Sequence, residues 1–85
     1  MIGRRVHATA EGLFLAEGDY ARDASGAWSC MAPGGLVGNL RNHDVTEHED
    51  GTITVSPSIK ITGSNDDGSP ATYHGFIEKG VWRNA

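Results

Sequence analysis

The dipeptide Asp50-Gly51 separates two short runs, Val45-Thr46-Glu47-His48 and Thr52-Ile53-Thr54-Val55. Asp-Gly supplies the positive φ that a tight turn between antiparallel strands requires. The second run alternates, so Ile53 and Val55 share one face and Thr52 and Thr54 the other. A helix cannot bury that pattern on a single side, because its side chains recur every three or four residues. Pro57 then interrupts a run that resumes at Ile59 and Ile61. Proline has no donor for a strand ladder and is tolerated at an edge or a bulge. The expectation is a bulge or bend at Ser56-Pro57, with Ile59 and Ile61 facing the core beyond it.

The same punctuation recurs elsewhere. Asp19-Tyr20-Ala21-Arg22 and Ala27-Trp28-Ser29-Cys30-Met31 flank the polar segment Asp23-Ala24-Ser25-Gly26, and Tyr73–Ile77 faces Val81–Arg83 across a tip at Lys79-Gly80. Both read as hairpins with a glycine placed for positive φ. Gly63 to Pro70 is polar and rich in breakers, which marks it as the longest loop and the place where mobility is expected. Upstream the pattern is weaker. Arg5 to Thr9 alternates loosely, Gly12 to Leu15 is a short apolar run, and Ala10-Glu11-Gly12 is placed to turn between them. Ala32 to Leu40 holds Pro33 and three glycines, so it reads as a loop, with at most a helical turn over Leu36 to Arg41. Thr9 to Ala21 is the remaining helix candidate, opposed by Gly12 and Gly18 at ~1 kcal/mol each.

The chain is therefore expected to be all-β: a small antiparallel sheet, a partly open barrel or a two-layer sandwich of roughly six to eight short strands. At 85 residues it is expected to be one domain, residues 1–85. A domain of this size buries only about 60–65% of its unfolded surface, so a net stability near 5 kcal/mol is expected. Trp28, Tyr73, Phe76 and Trp82 are the large core pieces, each able to bury ~150–250 Å². An aromatic left outside would mark an interface, which makes Trp28, Tyr73 and Trp82 the candidate contact residues.

Charge narrows the function classes. Seven Lys and Arg against eleven Asp and Glu give a formal net charge of -4. No basic cluster exists beyond Arg4-Arg5, so the electrostatic footprint of nucleic-acid binding is missing. No apolar run approaches the ~18 residues of a membrane span. Met1 to Arg5 carries charge with no apolar region after it, unlike a signal peptide. The single cysteine, Cys30, excludes an intramolecular disulfide, which agrees with a reducing cytoplasm.

Candidate chemistry is sparse. His43, Asp44, Glu47, His48, Glu49 and Asp50 form the richest polar cluster, for which metal binding and a solvated hairpin arm are the two readings. His43 and His48 are five apart, which puts them on opposite faces of a strand and is also wrong for one face of a helix. Asn65-Asp66-Asp67-Gly68 hints at a calcium loop but lacks the alternating oxygen ligands and the distal Glu. Ser56 or Ser58 with His74 would make a nucleophile and base, yet no Gly-x-Ser-x-Gly elbow is present. Cys30 with a histidine would make a thiol dyad; in an apolar strand beside Trp28 and Met31 it reads instead as a buried hydrophobe.

The pairing of Thr54-x-x-Pro57-Ser58-Ile59 with His74-Gly75-Phe76-Ile77-Glu78-Lys79-Gly80 resembles a family of small uncharacterised proteins of bacteria, phages and prophages. The resemblance covers about half the chain, from Ala32 to Trp82 with gaps. That family carries a Cys-Pro-Gly-Cys-like segment where this chain has Ala32-Pro33-Gly34-Gly35, and a cysteine where it has Tyr73. A thiolate zinc site needs about four ligands. If the family's cysteines bind metal, only His74 of that set persists here. With no convincing catalytic set and a small core, the expectation is a non-enzymatic interaction module without a cofactor, and by analogy with that family an accessory or virion-associated phage protein. Its partners are expected to be proteins, through self-association at a sheet edge or within a larger assembly, and its location the bacterial host cytoplasm or the virion. The rival expectation is a small metal-binding protein or metal-dependent hydrolase using His74 with His43 or His48, acidic side chains and Cys30.

Overall fold

The turns at Gly26, Gly51 and Gly80 each close a hairpin in the protein's structure, a computed structural model that describes Met1–Ala85. Their φ values are 89°, 86° and 77°, and Lys79 joins Gly80 in the left-handed region at 47°. Eight strands follow: β1 (Arg4–Arg5), β2 (Asp19–Arg22), β3 (Trp28–Met31), β4 (Val37–Asn39), β5 (Asp44–Glu47), β6 (Ile53–Ser64), β7 (Pro70–Glu78) and β8 (Val81–Asn84). They form two four-stranded sheets, ordered β1-β2-β3-β4 and β5-β6-β7-β8. Only the β1–β2 pair is parallel.

Three hairpin tips share a device. Asp23, Asp50 and Asp67 each accept through Oδ1 from the backbone N–H and the hydroxyl of the residue two places on, Ser25, Thr52 and Ser69. An Asx turn of this kind lets a side chain supply hydrogen bonds that the ladder cannot. The Ser or Thr hydroxyl and N–H hold all three carboxyls below the ordinary aspartate range.

The inner faces of the two sheets meet in one core. Tyr20, Trp28, Cys30, Ala32 and Leu40 come from the first half of the chain; Ile53, Val55, Ile59, Ile61, Tyr73, Ile77 and Trp82 come from the second. Ile59 and Ile61 face inward as the alternation requires. Along one side the sheets are stitched by the N-terminal segment. Gly3 N–H donates to Gly80 O (2.7 Å) and Met1 O accepts from Trp82 N–H (2.8 Å), after which Arg4 N–H and Val6 N–H donate to Gly18 O and Tyr20 O of the other sheet. The opposite side stays open, so the two sheets do not close into a barrel.

Four expectations are corrected. Ala32 to Leu40 is not a plain loop: β4 lies within it and pairs with β3 from Met31↔Val37 to Ser29↔Asn39, with no helical turn. Gly38 suits that strand because a Cβ there would stand 2.9 Å from Ile61 Cδ1 across the core. The helix candidate Thr9 to Ala21 is not helical: the apolar run Gly12 to Leu15 lies in irregular chain ahead of β2, and Phe14 is left 70% exposed. Phe76 lies on the outer face of its sheet, 42% exposed, rather than in the core. The Gly63–Pro70 loop is shorter than expected, because Gly63↔Ala71 and Ser64↔Pro70 extend the hairpin to a tip at Asn65–Ser69.

Asp19 is the buried carboxylate. It receives Arg4 Nη2 at 3.1 Å and Ala16 N–H at 2.9 Å. Burial raises its carboxyl, but the Arg4 guanidinium and the Ala16 N–H together outweigh that and hold it below the usual aspartate value. A depressed native value stabilises the fold above the unfolded pKa, about 3.9, and that stability is lost as pH falls through the native value. The urea midpoint is therefore expected to drop as pH is lowered below about 4. Asp19→Asn should be less stable than the wild type at pH 7 and should flatten this acid dependence in part, the turn aspartates retaining the remainder.

Candidate functional site

The polar constellation of the molecule centres on Ser58, just past the irregularity anticipated at Pro57. Val55 pairs with Ile77 and Ile59 with Gly75, so four steps along β6 span two along β7. The Ser56–Pro57 peptide within this bulge is cis. Two histidines converge on the displaced residue. His74 Nε2 lies 2.9 Å from Ser58 Oγ, and His43 Nε2 lies 3.0 Å from Ser58 O. A carbonyl only accepts, so His43 donates through Nε2–H. Its buried Nδ1 has no hydrogen-bond partner.

Ser58 and His74 thus form the dyad that the sequence raised as a possibility. A hydroxyl activated for acyl transfer also needs a group that orients the base and N–H donors for the developing oxyanion. The His74 ring has one hydrogen-bond partner, Ser58, and no carboxylate receives its second nitrogen. Both side chains sit on the outer face of the β5–β8 sheet, beside Lys60, the register partner of His74. The arrangement is a surface hydrogen bond with the first element of a catalytic set.

The other candidates are scattered. His48 Nε2 is 2.7 Å from Thr54 Oγ1, which also accepts Lys79 N–H at 3.0 Å, so this histidine ties the β5–β6 tip to the β7–β8 tip. Glu47 is clasped by Arg5 and, at 3.5 Å, by Arg22, which joins β5 to the other sheet; hydrogen bonding to Arg5 keeps its carboxyl low. The Arg5 guanidinium also lies over the Trp28 ring, 5.0 Å from its centroid. Cys30 is fully buried, and burial pushes its thiol up to about 11, which keeps it protonated and unreactive. No three His, Cys, Asp or Glu side chains meet in a group able to hold a metal ion.

An open cleft of about 420 Å³ lies beside His43, floored by Trp28, Leu40 and Val45 and rimmed by Arg41. It is shallow and carries no paired acid and base. The interface candidates Trp28, Tyr73 and Trp82 are 9%, 8% and 3% exposed, so they belong to the core, and of the three Trp28 also lines the cleft.

One feature escaped the side-chain reading because it is made of backbone. Ala85 N–H donates to His74 O, so the backbone of His74 points to β8. Alternation then aims Tyr73 and Gly75 at β6, and their register partners Ile61 and Ile59 at β7. The N–H and C=O groups of Lys60, Thr62 and Ser64 face the other way. β5 ends at Asp44↔Ser56, and no strand takes its place beside the rest of β6. From Ser58 to Ser64 the edge is bare, apart from Ser58 O under His43. The signal in the sequence was a mismatch of lengths: the Val45–His48 arm is too short for a run that continues to Ile61 and beyond.

No protein-family model, no curated protein and no solved structure matches the chain.

Proposed function

We propose that this domain is a non-enzymatic β interaction module, which engages other protein chains through exposed sheet surface as an accessory or virion-associated component of a phage or prophage. The observation that carries the reading is the unpaired backbone edge of β6 past Ser58. Bare edges pair with other chains unless they are short, bulged, charged or covered. This one is blunted only by the Pro57 bulge and by Lys60. Backbone pairing at such an edge gives affinity, and the outward side chains give selectivity. The phage setting rests on the resemblance of Thr54–Ile59 and His74–Gly80 alone.

A hydrolytic reading is favoured by one observation, the 2.9 Å contact between Ser58 Oγ and His74 Nε2. A metal-dependent version would add His43, which reaches the same residue through its carbonyl. Metal analysis and turnover of p-nitrophenyl acetate on the purified protein separate the readings. The module reading expects no stoichiometric zinc, no ester turnover that Ser58→Ala abolishes, and a regular assembly by light scattering. Zinc lost on His74→Ala, or hydrolysis lost on Ser58→Ala, overturns it.

A further inference from the structure

We infer that the partner of the β6 edge is a second copy of this chain, paired antiparallel about a two-fold axis through Ile61. The inference rests on the interaction-module reading and specifies its contact. An antiparallel pair centred on Ile61 sets Lys60 against Thr62 of the other copy, and Thr62 against its Lys60. Both residues aim their N–H and C=O at the free edge, as the β6–β7 register requires. Each opposed pair therefore exchanges both of its hydrogen bonds, the arrangement an antiparallel ladder needs. A centre at Lys60 would set two lysines face to face and bring Ser64 against Ser56, which β5 already covers; a centre at Thr62 would set Lys60 against Ser64 and carry Ser58 past the end of the partner strand.

Side chains fit the same register. Lys60 is the one charged residue between Ser58 and Ser64. Across the axis it meets a threonine, so like charges are not opposed directly. Ile61 is 8% exposed and points inward, which leaves the two axial residues in their own cores. The length also matches. The same register brings Ser64 of one copy opposite Ser58 of the other, where the bare edge stops at His43 and β5 begins. The Asn65–Ser69 tip turns away at that point, so the partner strand ends where the slot ends. The acidic tip residues Asp66 and Asp67 are thereby carried toward the end of the neighbouring edge that holds His43 and Arg41. The result is an isologous dimer with one sheet continuous across both copies.

The Thr62 side chain is exposed and faces outward, so changing it reads the dimer without touching the core. Sedimentation equilibrium on the full chain, up to about 1 mM, gives the monomer–dimer constant. Thr62→Glu places a carboxylate opposite Lys60 twice per dimer and is expected to tighten it roughly fivefold; Thr62→Lys opposes like charges and is expected to weaken it roughly fivefold. Lys60→Glu/Thr62→Lys restores the opposed pairs and should recover at least wild-type affinity. Far-UV circular dichroism checks that each variant is folded. A monomer at all concentrations for both wild type and Thr62→Glu overturns the inference. So does an assembly indifferent to all three variants, which leaves the module reading standing on another edge. Ester turnover lost on Ser58→Ala would instead bring down the module reading itself.

Discussion

Trp82→Ala is expected to strip the domain of most of its stability, leaving about 0–2 kcal/mol at room temperature. The indole is 3% exposed, packs edge-on against Tyr73 with ring centroids 5.5 Å apart at 83°, and donates Nε1–H to Gly18 O at 2.9 Å across the gap between the sheets. Truncating a buried tryptophan to alanine costs about 3–5 kcal/mol. A domain this small has only about 5 kcal/mol in total. Trp82→Phe separates the contributions. It keeps most of the packing and withdraws the donor from a buried carbonyl, a loss of about 1–3 kcal/mol. Urea denaturation followed by circular dichroism measures both, and an alanine variant within about 1 kcal/mol of wild type would contradict this placement of Trp82.

The second large effect is expected at Gly3, where the chain crosses from one sheet to the other. A Cβ there would stand 2.8 Å from Gly80 O, 2.9 Å from Gly18 O and 3.0 Å from Trp82 Nε1. Two of those atoms are backbone oxygens belonging to different sheets, so the clash cannot be relieved by a rotamer change. Gly3→Val must push the sheets apart or break the Gly3 N–H bond to Gly80 O. A loss of about 3 kcal/mol is expected, at the upper end for overpacking, and with it a fall in Tm of roughly 12–24 °C. The neighbouring Ile2→Val is the control. Ile2 is 85% exposed, so its shortening should change stability by no more than about 0.5 kcal/mol. Equal melting temperatures for the two variants would contradict the stitched seam.

How much of this was legible follows from where the determinants lie. Turn chemistry is local, and the sequence announced the hairpins at Gly26, Gly51 and Gly80, the bulge at Pro57 and the inward Ile59 and Ile61. Strand β4 was hidden because Pro33 and the glycines argue locally for a loop, whereas Gly38 is selected by Ile61 on another strand. Phe76 was misplaced because its neighbours Gly75 and Ile77 are the buried pair, and alternation carries the ring outward. In the candidate site, Ser58 and His74 were paired as residue types, but the bulge that aligns them is a matter of register. Sequence proximity places His43 beside His48 in one candidate metal cluster, while its actual partner is a backbone carbonyl fifteen residues away. The bare edge of β6 carries no side-chain motif at all. It is a difference between the lengths of two hairpin arms.

Amide hydrogen exchange along β6, resolved by NMR in dilute solution, tests the free edge most directly. Ile59, Ile61 and Gly63 are expected to exchange slowly, because their N–H groups face β7. Lys60 and Thr62 are expected to exchange far faster in the same strand, and to slow as concentration is raised and a second edge covers them. Protection of Lys60 and Thr62 equal to that of their neighbours in the dilute monomer would contradict the account.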